Sequence, residues 1–454
     1  MVSAVTRHVG PPDGGYGWFI VLATFLVFGL TFGVIKSFGV FYVEIHRYFA
    51  TTATGTSWIT SISIATVHLG APVGAAMSAC VGHRAVVMLG GLLSSVGMVA
   101  GAYAQNLLQL YITVGFLTGF GYALTWTPTV AMLGCYFEKR RPMANALASA
   151  GECIITFLFT PFFQLLVDEY SWRGAMLVLG AVQLNLCVCG ALLRPLSNLA
   201  EKHPAEGDRL QLEEMSQTHT DPQRANIRSQ SLRSKVLHYV DYTLIANPHF
   251  MLYSMFGVFA ALGFFAPALF LVPYARSQGL EEYHAAALMS ISAALDLSGR
   301  LLFGWVANLR LVQTIHQLTV TVILLGMVLL LCPLATTFTQ LAAFSASYGL
   351  VFGATVAIHI TVLAEVVGVS RLSSALGFFM LIRSSGGLLG PPIAGFFIDK
   401  MGNYSTGFLM AGVALILSAL FLFLLHQMTR RGRDTQLQAK DSSSATEKNN
   451  EDPQ

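Results

Sequence analysis

Twelve apolar runs, each about as long as a lipid bilayer is thick, constrain this chain more than any other feature of its sequence. A hydrocarbon core of about 30 Å demands about 20 apolar residues per helical crossing. Inside lipid only helices or closed barrels satisfy the backbone. The runs fall near 17–43, 57–81, 85–104, 107–135, 143–167 and 173–194, then 249–273, 284–307, 312–334, 338–364, 372–398 and 404–427. Composition agrees: 54% of the 454 residues are hydrophobic and 11% charged, with mean hydropathy +0.62. Soluble domains are about 25% charged. The expected fold class is an all-α membrane protein with twelve transmembrane helices.

The runs divide six and six around a polar stretch. This predicts a segment 1–16, a six-helix bundle 17–196, a loop 197–246, a second bundle 247–428 and a tail 429–454. The loop and tail read as disordered from their low hydrophobicity. A weak internal repeat supports two halves. Ser61-Ile62-Ser63 with Gly70 recurs as Ser290-Ile291-Ser292 with Gly299, and Ala146-Leu147 recurs as Ala375-Leu376, all at one offset. Two pseudo-symmetric six-helix bundles are the pattern of the major facilitator fold, with cargo held between them near the midplane. Basic residues gather in the loops holding Arg84, Lys139, Arg140, Arg141, Arg310 and Arg371, and in the tail at Arg430, Arg431 and Arg433. Cytosolic loops carry such an excess, so both termini and the long loop are expected in the cytosol.

Net charge is +3, too small to imply nucleic acid. The six cysteines form no CxxC pair and read as small hydrophobes. No phosphate loop, nucleophile triad or metal-ligand spacing is present, so no enzyme, cofactor or metal site is expected. What stands out instead is charge in the wrong place. Lys36, Asp296 and Arg300 lie within apolar runs, where a charge costs about 2.5–3.5 kcal/mol on insertion scales. Asp296 and Arg300 are four residues apart and share a helix face. They read either as a structural ion pair or as an exchangeable one, in which the guanidinium fork matches a carboxylate. Lys36 lies about 27 Å along its helix from Trp18, either snorkelling to the outer headgroups or acting as a switchable cation. Arg383 reads as paired with a carbonyl or Glu152, or as a second anion contact. His68 and His359 could relay protons or bridge helices. Glu152 and Glu365 are expected at span ends. Tyr42, Phe264, Phe265 and Trp126 are pocket candidates. Asp13 and the segment Glu138, Lys139, Arg140, Arg141 are expected to form charge contacts that latch the cytosolic side.

Several motifs carry a family resemblance. Pro12-Asp13-Gly14-Gly15-Tyr16-Gly17-Trp18, Tyr136-Phe137-Glu138-Lys139-Arg140-Arg141-Pro142-Met143-Ala144-Asn145, Tyr170-Ser171-Trp172-Arg173-Gly174 and Gly390-Pro391-Pro392 resemble signatures of the monocarboxylate transporter family. The resemblance covers about 12–428 and is nearest the ketone-body and creatine-carrying branches. It implies a proton- and anion-receiving lysine at Lys36 and an aspartate–arginine pair at Asp296 and Arg300. It also places Ile360 where lactate carriers have a bulky aromatic, predicting a roomier pocket, and makes Arg383 a departure from an acidic position. Some members need a single-span immunoglobulin-type glycoprotein to reach the surface.

The expected function is transport of a small monocarboxylate of the lactate, pyruvate or ketone-body type across the plasma membrane, coupled to a proton. The alternative is proton-independent passage of creatine or a related zwitterion. On the charges named, Lys36 and Arg300 against Asp296 leave one positive charge for one anion to neutralise.

Overall fold

The computed structural model describes residues 13–137, 140–194, 242–309, 312–368 and 371–450. Most of segment 1–16 and of loop 197–246 therefore lies outside the described residues. Among those described, ten helices are long and apolar enough to cross a membrane: Gly17–Ser37, Ala53–Val81, His83–Ala102, Leu107–Tyr136, Met143–Leu192, Pro248–Ser277, Glu282–Ala307, Thr314–Leu334, Phe338–Val367 and Ser405–Arg431. Met143–Leu192, at 50 residues, is too long for one crossing. It breaks at Ser171 (φ 59°, ψ 170°) into two. Leu372–Met401 supplies another 30-residue helix, whose hydropathy is diluted by Ser384, Ser385, Gly386, Gly387 and two prolines. The twelve expected crossings are thus accounted for, and no strand occurs among the described residues.

The tail departs from expectation. Ser405–Asn450 is one helix of 46 residues, running well past residue 428. Residues 433–450 contain neither Gly nor Pro, so no strong helix breaker interrupts the helix that starts at Ser405.

Close packing of small residues sets the helix positions that matter for the site. The first helix turns to a π-helical stretch at Gly29–Gly33, immediately before Val34–Ser37 with Lys36. There it crosses the Met143–Leu192 helix without intervening side chains. A Cβ on Gly151 would collide with the Phe25 carbonyl oxygen, and one on Gly33 would stand 3.3 Å from the Glu152 carbonyl oxygen. In the second half, a Cβ on Gly353 would collide with the Asp296 carbonyl oxygen. The Phe338–Val367 helix therefore lies directly on the helix bearing Asp296 and Arg300. Small residues allow such approach in membrane helices, where packing and hydrogen bonds replace the hydrophobic drive.

The two halves are pinned together at one end. Asp399 accepts from the Ala53 N–H (2.6 Å), the Thr54 N–H (2.9 Å) and the Thr54 hydroxyl (2.6 Å), capping the Ala53–Val81 helix from the opposite half. Tyr42 meets Phe270 edge-on at 5.6 Å between centroids, and a Cβ on Gly39 would lie 2.8 Å from the Ala268 carbonyl oxygen. At the same end Arg173 donates to the Ala104 carbonyl (2.9 Å) and the Tyr48 hydroxyl (3.2 Å) beside buried Trp172.

Candidate functional site

Lys36, Asp296 and Arg300 meet, as the sequence suggested, but a fourth residue joins them. The Lys36 ammonium lies 2.8 Å from Asp296 Oδ2 and 2.7 Å from Glu152 Oε1. Arg300 donates through Nε to Asp296 Oδ1 (2.8 Å), and through Nη2 to Asp296 Oδ2 (3.1 Å) and Glu152 Oε2 (3.1 Å). Its Nη1 reaches the Ser149 carbonyl at 3.4 Å. Lys36 also stands over the Phe352 ring, 4.5 Å from its centroid, a cation–π contact worth about 0.5–2 kcal/mol. Each half supplies one cation and one anion: Lys36 and Glu152 from the first, Asp296 and Arg300 from the second.

Glu152 is the correction. Expected at a span end near the interface, it is 9% exposed and sits between the two cations. The close crossing at Gly33 and Gly151 brings it there. The charge count changes with it: two cations face two carboxylates, so the four-residue cluster is formally neutral rather than singly positive. Burial without such pairing would be prohibitive, since removing one member of a buried pair costs about 3–5 kcal/mol.

The other candidates separate. Phe264 lies beside the cluster: its ring meets Phe352 edge-on at 5.4 Å and lies 5.4 Å from the Arg383 guanidinium carbon. Arg383 is not paired with Glu152; it forms no hydrogen bond or ion pair with any described residue. His359 donates through Nδ1 to the Val356 carbonyl (2.7 Å), and its buried Nε2 has no partner. His68 likewise hydrogen-bonds the Ile64 carbonyl (2.7 Å). Tyr42 is fully buried, donates weakly to the Ala53 carbonyl (3.4 Å) and stacks on His46, so it belongs to the closed end rather than a pocket wall. Ile360 is 42% exposed. Glu365 does sit near a helix end, accepting from the Thr314 hydroxyl.

Asp13 meets the expected segment, through the backbone as well as its side chain. Its N–H donates to the Tyr136 carbonyl (3.1 Å) and its Oδ1 accepts from the Arg140 N–H (3.2 Å). Both partners lie in the first half, so this contact does not itself bridge the halves. Glu138 lies outside the described residues, as does the Arg141 side chain.

A twelve-crossing helical fold with a neutral ion cluster assembled from both halves defines a secondary carrier of the major facilitator type. The family model of the Major Facilitator Superfamily matches residues 20–315 and 315–449. The structure of a bacterial homologue of the human lysosomal transporter Spinster, inward-facing and unoccupied, superposes with a TM-score of 0.69 at 17% identity, covering 91% of this chain and 98% of that one. Monocarboxylate transporter 2 of Homo sapiens is 36% identical over 93% of this chain and 88% of its own length. Monocarboxylate transporter 12 of Xenopus laevis is 37% identical (94% and 93%), and monocarboxylate transporter 13 of Bos taurus 38% identical (89% and 88%). The chain belongs to the monocarboxylate transporter family, whose members are carriers and not enzymes.

Proposed function

We propose that the chain carries small monocarboxylates across the plasma membrane, one proton accompanying each anion, by alternating access with both termini cytosolic. The observation that carries this reading is the neutral cluster of Lys36, Glu152, Asp296 and Arg300, shared between the halves. A carrier whose empty site is neutral keeps its crossing cheapest when the loaded site is neutral too. A carboxylate adds one negative charge, so a proton must enter with it. The bound anion takes the Arg300 fork, for which its planar geometry is matched. Asp296 or Glu152, displaced from its cation, accepts the proton. Release of both restores the cluster, and the empty return needs no deprotonation of Lys36. The end pinned by Asp399 is read as extracellular and closed, with entry from the cytosolic side. The zwitterion alternative is disfavoured by Arg383, an unpaired cation that would repel a second guanidinium.

Reconstitution tests this. Labelled L-lactate should enter proteoliposomes faster down a proton gradient, and Lys36→Ala should abolish the effect. Uptake of creatine but no monocarboxylate, indifferent to pH, would replace the proposal with the alternative.

A further inference from the structure

Arg383 holds a charge that the cluster does not use. It is half-buried on the Leu372–Met401 helix and unpaired among the described residues. One turn further along, a Cβ on Gly387 would stand 2.9 Å from an Ile64 methyl of the other half. Ile64 lies one turn from His68, so Arg383 and His68 come opposite one another across the halves, within electrostatic reach. His359 and Tyr253 lie within the same reach from the guanidinium's own half, and so does the Glu152 carboxylate from the other, without a direct ion pair to it. Neither histidine neutralises it. Each gives its Nδ1 hydrogen to a backbone carbonyl, which leaves Nε2 of a neutral ring as an acceptor only.

The walls are apolar. Phe264 faces the guanidinium from one side. In the other half, beside His68, the half-buried Phe32 ring lies 6.5 Å from His68 and 5.7 Å from Trp126. From Phe264 the aromatic contact passes to Phe352, and from Phe352 to Lys36. An unpaired guanidinium lying against one aromatic ring, whose neighbour in edge-to-face contact carries Lys36, is placed to receive an anion.

We infer that Arg383 anchors the carboxylate of an incoming substrate at a docking subsite separate from the four-residue cluster, and that this subsite takes monocarboxylates with an aromatic or branched apolar body. The inference rests on the proposed carrier function and deepens it by naming the substrate class. Lys36 and Arg300 are both engaged by carboxylates in the conformation described, whereas Arg383 offers a whole fork. The carboxylate docks on that fork and the apolar body rests among Phe32, Trp126 and Phe264. Transfer past the Phe264–Phe352 pair to Arg300 then completes loading.

The test uses the full chain in detergent, with phenylacetate and phenylacetamide as calorimetric probes, and labelled L-lactate uptake in proteoliposomes as the control. Arg383→Gln should weaken phenylacetate binding about 10- to 100-fold, the cost of losing hydrogen bonds to a charged partner. Phenylacetamide should bind weakly to wild type and variant alike. Arg383→Lys, which keeps charge and loses the fork, should bind at least about fivefold more weakly than wild type, and decides the matter if Arg383→Gln does not fold. Phenylacetate affinity within about threefold of wild type, in Arg383→Gln or failing that in Arg383→Lys, overturns the inference. Wild type that moves lactate yet does not bind phenylacetate also overturns it while leaving the carrier function intact; wild type that neither moves lactate nor binds phenylacetate defeats both.

Discussion

Glu152→Gln is the perturbation that separates the four-residue cluster from the simpler three-residue one. Glutamine keeps the shape of the side chain and removes its charge. Lys36 loses its 2.7 Å contact with a carboxylate but keeps Asp296 at 2.8 Å. Arg300 loses the 3.1 Å bond from Nη2 but keeps two bonds to Asp296. The cluster moves from neutral to singly positive. Breaking a buried pair costs about 3–5 kcal/mol when the remaining charge is stranded. Here both cations retain a partner, so the lower end, about 3 kcal/mol, is the appropriate figure. That penalty falls on the empty carrier. A bound carboxylate cancels the extra charge and relieves it. The empty return should therefore slow by about 100-fold, since each 1.36 kcal/mol is tenfold in rate. Exchange of substrate for substrate, which never visits the empty return, should persist. Net uptake and exchange of labelled L-lactate are compared in empty and lactate-loaded proteoliposomes at two pH values. The expectation is lost net uptake, retained exchange and little dependence on pH. Wild-type net uptake with unchanged pH dependence would refute the neutral-cluster reasoning.

Three further outcomes follow from the packing. Gly353→Leu should lower the melting temperature in detergent and abolish uptake, because its side chain would collide with the Asp296 carbonyl oxygen in a core where overpacking costs about 1–3 kcal/mol or more. Asp399→Ala removes the cap shared by Ala53 and Thr54, worth about 0.5–2 kcal/mol. It should raise alkylation by a membrane-impermeant reagent of a cysteine introduced at Thr54, and an unchanged rate would show that the Asp399 contact does not hold that end closed. Tyr42→Phe, which removes a hydroxyl that reaches the Ala53 carbonyl at 3.4 Å and also faces Tyr404 and Ser57, should slow uptake by less than about tenfold, since one hydrogen bond contributes about 0.5–1.5 kcal/mol.

The crossings and the Asp296–Arg300 pair were legible because each has a local signature: length of an apolar run, and spacing of four on one helix. Lys36 was legible as an anomaly, a charge in an apolar run. Glu152, by contrast, reads in the sequence as a residue near a span end. Residue 152 lies ten residues into its helix, and only the crossing at Gly33 and Gly151 turns that depth into contact with Lys36 and Arg300. Nothing in one sequence marks a contact spanning 148 residues. Asp399 was silent for the same reason, since its role is to cap a helix from the opposite half.

The central claim is that anion and proton move together through a cluster that stays neutral. Simultaneous recording of labelled L-lactate uptake, intravesicular pH and membrane current in one proteoliposome preparation tests it most directly. The account predicts one proton per carboxylate and no current attributable to substrate. Substrate-dependent current, or lactate entry without acidification of the lumen, would contradict it.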